Sequence, residues 1–143
     1  MANSNQVIFL KGKEKALQIL FDSNNFGYLA IGYDPDDLGF EDSEDGDIIS
    51  QGFLELDRTI SNYSRIPLDF MSSEKDPDTG KVLVKFSAEL KATNINGNKI
   101  NQMAIVDSLD GTNADTTYFS ATTFPTFNKT NNSSITFVIG MRL

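Results

Sequence analysis

With 143 residues the chain is long enough for one domain with a real core, but it has no cysteine and no histidine. That removes disulfides, zinc–thiolate sites, cysteine nucleophiles and the imidazole base of the Ser-His-Asp and Cys-His mechanisms, and it takes from zinc, copper and non-haem iron their commonest ligand. The net charge of −8 comes from 20 acidic against 12 basic residues; eight of the acids fall in DPDDLGFEDSEDGD (34–47), and without them 12 stand against 12, and a neutral body with an acidic loop is a poor binder of nucleic-acid phosphates and of anionic lipid.

In chain order, Val7–Leu10 is an apolar patch of only four residues, shorter than the core of an export signal, so no such signal is expected. No run of about 18 apolar residues occurs anywhere. GKEKALQILF (12–21) predicts a short helix with Ala16, Leu17, Leu20 and Phe21 on one face and Lys13, Glu14 and Gln18 pointing elsewhere. FGYLAIGY (26–33) reads as a buried strand. The acidic segment follows, broken by Pro35, Gly39 and Gly46, and IISQGFLELD (48–57) reads as a strand of weaker alternation. SNYSRIPLDFM (61–71) sets Ile66, Leu68 and Phe70 on one face, with Pro67 marking an edge or irregular strand. SSEKDPDTGK (72–81) reads as a turn-rich connection.

The strongest pattern is residues 82–92, where Val82, Val84, Phe86, Ala88, Leu90 and Ala92 alternate with polar residues as on a half-buried strand. Asn96-Gly97 then predicts a two-residue hairpin turn into a return strand, KINQMAIVD (99–107). TTYFSATTF (116–124) is a further strand, FPTFNKTNNSS (124–134) a polar loop, and the closing strand puts Ile135, Phe137, Ile139, Met141 and Leu143 on one face. No internal repeat or linker divides the chain. The expected fold is mainly β: one domain over 1–143, an antiparallel β-sandwich with a short N-terminal helix, an α+β arrangement being the alternative.

Each cluster of chemical groups has a plainer reading beside it. With Gly46 as the sixth position of a calcium loop, Glu41, Ser43 and Asp45 take the first, third and fifth, but the twelfth is Gly52 where a bidentate Glu is needed, so the EF-hand reading fails. A run of like charges more often stays solvated. Asp76-Pro77-Asp78-Thr79-Gly80 and the set Asp107, Asp110, Asn113 and Asp115 around Gly111 fit turn chemistry better than ligand chemistry. Glu55 and Glu89, within strand-like segments, are the carboxylates to name for glycoside hydrolysis, and outer-face charge is their commoner role. Lys11, Lys13 and Lys15 read as a solvated helix face. Phosphate-loop and nucleophile-elbow motifs are missing. No metal and no cofactor is expected. Phe40, an apolar residue stranded among carboxylates, suits an anchor for a protein partner, or else tucks back over the domain edge.

The second half carries a family pattern. INQMAIVD (100–107), YFSATTF (118–124), FPTFNK (124–129) and ITFVIGMRL (135–143) follow one another as a strand, an aromatic-and-alanine strand, an "fp.i.K" segment and a closing alternating strand. In that order they resemble the N-terminal attachment domain of bacteriophage tail fibres and related tail-collar and baseplate proteins; YLAIGYD (28–34) fits the front half more loosely. Gln102 stands where that pattern favours Glu. With no shaft after Leu143, the chain resembles an adaptor, collar or baseplate piece more than a fibre.

The resemblance implies a non-enzymatic structural component of a virion, assembled in the host cytoplasm. Its partners would be copies of itself, with a trimer favoured, and other virion proteins; nucleic acid and membrane are not expected. Contacts are expected on inter-strand loops, at Asp36, Asp37, Phe40, Glu41 and Asp42 in one and Asp110 and Asn113 in another. The alternatives are a carbohydrate-binding or cell-surface adhesion module, with or without calcium, and a capsid decoration protein.

Overall fold

A computed structural model of the chain describes residues 6–22, 25–37, 39–40, 52–59, 63–112, 115–130 and 133–142. Helix α1 spans Leu10–Leu20, and seven strands follow: β1 (Tyr28–Gly32), β2 (Ile66–Pro67), β3 (Asp69–Asp76), β4 (Lys81–Leu90), β5 (Lys99–Val106), β6 (Tyr118–Asn128) and β7 (Ile135–Arg142). They form two antiparallel sheets, one in the order β2-β1-β5-β6 and one in the order β3-β4-β7. This is the expected β-sandwich with a short helix.

The core lies where the inner faces meet. Val82, Val84, Phe86, Ala88 and Leu90 of β4 are all buried against Leu29 and Ile31 of β1 and Ile100 and Ile105 of β5. The alternation of β4 therefore reports one sheet face in core and one in water. Helix α1 has no side-chain cap and no helpful charge in either end turn, so packing holds it. Leu17 and Phe21 are buried; the Phe21 ring sits 5.1 Å from Phe86 of one sheet and 4.9 Å from Phe119 of the other. The predicted face is turned, however. Ala16 is exposed, whereas Lys13 and Glu14 are half-buried. Lys13 Nζ donates to the Gly80 carbonyl at 2.5 Å, and Glu14 accepts from Ser73 and pairs with Lys75 at 3.4 Å. Pairing with the neighbouring strand has overridden the apolar stripe.

Three connections differ from expectation. The Asn96-Gly97 pair does not close a hairpin, because β4 and β5 belong to different sheets and residues 91–98 cross between them. Gly97 does take positive φ (82°), but so does Ile95 (45°), a conformation costly for a β-branched residue. Ile95 is fully buried in the core cluster, which offsets that strain. Lys129 clasps the crossing: its peptide bonds Gly97 at 2.6 Å and Asn98 at 2.9 Å, and its buried Nζ donates to Asn96 Oδ1 at 2.9 Å and to Ala92 O at 3.3 Å. Burial pushes the pKa of that ammonium down.

The stretch 72–81 is not mainly a turn. Residues up to Asp76 belong to β3, whose sequence hides it because almost every residue is exposed and no alternation results. The turn is confined to 77–80. Finally, β6 continues past Phe124 to Asn128, carrying Pro125 on an edge strand, where a missing N–H is tolerated. Of 48–57, residues 48–51 lie outside the described residues, and the remainder makes one isolated bridge, Gly32 to Glu55. Leu143 also lies outside them.

Candidate functional site

The β1-β5 pair is buried on both faces. Its inner residues serve the main core; its outer face carries Ala30, Ala104 and Val106, each 1% exposed or less, with Phe53 over them and Tyr28, Phe40, Tyr118 and Ala121 packed around. Small alanines leave room for the Phe53 ring, which lies 6.5 Å from Phe40 and 5.8 Å from Tyr118. The residues flanking the acidic segment thus cover the outer face of the first sheet. Phe40 takes the tucked-back arrangement and is half-buried.

Two buried amides pin those flanks. Asn101 Oδ1 accepts from Asp34 N at 2.8 Å and Nδ2 donates to Asp34 O at 2.8 Å, a two-sided bond to the backbone of one residue. Gln102 Oε1 accepts from Leu54 N at 2.9 Å while Nε2 donates to Gly52 O at 2.9 Å. Both side chains are 1% exposed. The β5-β6 register shifts between Ile100 and Gln102, and a bulge of this kind re-aims side chains. Each amide completes a donor-and-acceptor pair that a carboxylate cannot: a Glu at 102 would accept from Leu54 but would have nothing to donate to Gly52.

Gly32 makes the approach possible. A Cβ there would lie 2.5 Å from Leu54 O and 2.9 Å from Gln102 Oε1, so only glycine admits the returning chain. Tyr33 N then donates to Leu54 O, and Leu56 N to Ile31 O, both at 3.0 Å.

Behind this clasp lies an ion pair. Arg65, with a side chain 0% exposed, forks onto Glu55 through Nε to Oε2 and Nη2 to Oε1, both 2.9 Å. Its Nη1 reaches Ser108 O at 3.0 Å, Ser108 Oγ at 3.1 Å and Thr116 Oγ1 at 2.9 Å. Tyr63 donates to Glu55 Oε2 at 2.5 Å and accepts from Ile31 N at 3.1 Å, standing in for a strand carbonyl along β1. Arg58 lies 3.8 Å from Glu55 and donates to Gly111 O. Burial works against the Arg65 charge, but the Glu55 hydrogen bonds and charge hold its pKa up. Both Glu55 oxygens are committed to protein donors, and Glu89 is exposed on the outer face of the other sheet. The two carboxylates weighed for hydrolysis thus stand apart, Glu55 enclosed beside β1 and Glu89 in water on the second sheet.

Burial first, then the Glu55 charge and hydrogen bond, push the Tyr63 phenol far above the ordinary tyrosine value. The folded chain keeps a proton that the unfolded chain releases above about pH 10, so this group makes stability fall as pH rises past that point. We expect Tyr63→Phe to be less stable at neutral pH by about 1–3 kcal/mol, having lost buried hydrogen bonds, yet to have the flatter alkaline slope. Melting temperatures of both proteins between about pH 8 and 11 check this; parallel curves would contradict it.

Among the residues expected to meet partners, Asp36, Asp37 and Asp110 are exposed, while Glu41, Asp42 and Asn113 lie outside the described residues. Asp36 and Asp37 stand beside the clasped Asp34, whose Oδ1 accepts from Asp36 N at 2.9 Å. The second loop is tied to the same region through Ser108, Gly111 and Thr116. In the turns, Asp76 Oδ1 accepts from Asp78 N at 3.0 Å and Asp107 Oδ1 from Thr117 N at 2.9 Å. Composition and periodicity pointed to neither the amides nor the ion pair. Their trace was polar Asn-Gln inside the otherwise apolar INQMAIV, and a lone Arg beside a strand. Comparison of the chain with protein-family models, curated proteins and solved structures finds no match.

Proposed function

We propose that the chain is a non-enzymatic structural component of a tailed bacteriophage virion, a docking domain of the tail, neck or baseplate. The observation that carries this reading is the clasp: four hydrogen bonds from two buried amides fix both flanks of the acidic segment to the sheet. A segment holding the whole charge imbalance is thereby presented from a fixed base beside a second polar loop. Presentation of a loop from a rigid scaffold suits recognition by a basic neighbour, with charge governing rate and specificity. The resemblance of the closing strands to tail attachment domains supports a virion as the setting, with other virion proteins as the partners.

Replacing Asp36, Asp37, Glu41 and Asp42 by their amides should weaken incorporation into particles about tenfold or more, and make what remains less salt-sensitive. The melting temperature should fall by no more than about 4–8 °C, at about 0.5 kcal/mol or less for each of the four substitutions. Quantifying labelled protein in purified particles tests the reading. Unaltered incorporation, a chain that never enters particles, or an unfolded variant would refute it.

A further inference from the structure

The four outer strands of the sandwich are treated differently. β2 is two residues long and contains Pro67. β3 shifts register between Phe70 and Ser72 and carries Asp69, Glu74, Lys75 and Asp76. β6 shifts register twice and carries Pro125. Short length, bulges, charges and proline are the devices that keep sheet edges from pairing with other chains. β7 has none of them along its body. All eight residues pair with β4 without a shift, its one charge is the terminal Arg142, and among the described residues nothing pairs with its other side. Val138, at the middle of the strand, is 58% exposed.

We propose that β7 pairs antiparallel with β7 of a second copy of this chain, about a two-fold axis at Val138. The sequence is self-complementary in that register. Phe137 falls opposite Ile139 and Ile135 opposite Met141, so the inner face meets only apolar partners. Thr136 falls opposite Gly140, and the two Val138 side chains meet on the outer face. Arg142 falls opposite Ser134, which puts the two guanidinium groups at opposite ends; parallel in-register pairing would set them side by side. The axis stands normal to the sheet, as in any antiparallel pair, so both first sheets lie on the same side of it. That brings each β6 beside its copy, and there the half-buried Phe124 and Phe127 gain cover, the Phe124 ring lying 5.7 Å from both Phe127 and Phe137. The contact is two-fold, whereas the family resemblance implies a three-fold assembly, and it does not depend on the acidic segment.

Sedimentation of the full chain should show a dimer. Val138→Lys sets two ammonium groups directly opposite and should raise the dissociation constant about tenfold or more, with an unchanged circular dichroism spectrum. Facing residues of an antiparallel pair lie about 4.5–5.5 Å apart at Cα, within disulfide reach. The chain has no other cysteine, so Val138→Cys should be oxidised by added oxidised glutathione to a covalent dimer, the glutathione taking up the two electrons and two protons, while Thr136→Cys, facing Gly140, should not. Should the lysine variant fail to fold, this cysteine pair decides. A monomeric wild type, an assembly of any size that Val138→Lys leaves intact, or equal cross-linking at 136 and 138 would overturn the proposal.

Discussion

Replacing Arg65 by alanine lowers the unfolding free energy by about 3–5 kcal/mol, because it leaves the buried Glu55 carboxylate without its main partner. At about 2–4 °C per kcal/mol, the melting temperature falls by roughly 6–20 °C. The size follows from geometry. The Arg65 side chain has no exposure and makes five hydrogen bonds to Glu55, Ser108 and Thr116. The penalty comes from orphaned groups rather than from the intrinsic value of the pair, so removing both charges at once should restore much of the loss. We expect Arg65→Met with Glu55→Leu to be at least about 1 kcal/mol more stable than Arg65→Ala. Chemical denaturation of the three proteins checks this; a single variant within about 0.5 kcal/mol of wild type would contradict it.

β4, with one face in core and one in water, was legible from sequence, and so were the doubly buried β1 and β5 as strands; β3, exposed on both faces, was not. β4 alternates because one face meets core and the other water, so Val82 to Leu90 announce it. β3 is exposed on both faces and reads as loop. β5 is buried on both, and its Asn101 and Gln102 look like a lapse in an apolar run when they are the anchors of another segment. A local pattern cannot show which segment returns to satisfy a buried amide, since Gln102 and Gly52 are 50 positions apart. Asn96-Gly97 misled for a related reason. Glycine supplied the positive φ that a hairpin would need, but the turn serves a crossing between sheets, fixed by Ile95 in the core and by Lys129 just past the end of β6. Of the site, the exposed aspartates were visible in advance and the machinery that positions them was not.

The second large effect is expected at that machinery. Gln102→Leu keeps the strand apolar but strips partners from Leu54 N and Gly52 O together, two part-buried groups at about 1–3 kcal/mol each, a loss of about 2–6 kcal/mol. Gly32→Ala should act on the same contact from the other side, since its methyl would meet the Leu54 carbonyl oxygen, a backbone atom that cannot swing away. Because both variants release the same strap, the double variant should cost less than the sum of the two. Strict additivity in denaturant titration would mean that Gly32 and Gln102 hold different things. On the proposed docking role, both substitutions should also reduce particle incorporation while Asp36 and Asp37 remain in place, because the acidic segment would keep its charge and lose its base.

Hydrogen exchange of the intact chain measures that base most directly. The amides of Asp34, Leu54 and Leu56 bond to Asn101, Gln102 and Ile31, so they should exchange as slowly as the neighbouring amides of β5. In Gln102→Leu the Leu54 amide should lose most of its protection while the amides of β4 keep theirs. Exchange of Asp34 and Leu54 in the wild-type chain at the rate of an open loop would contradict the account, because the acidic segment would then have no fixed seat on the sheet.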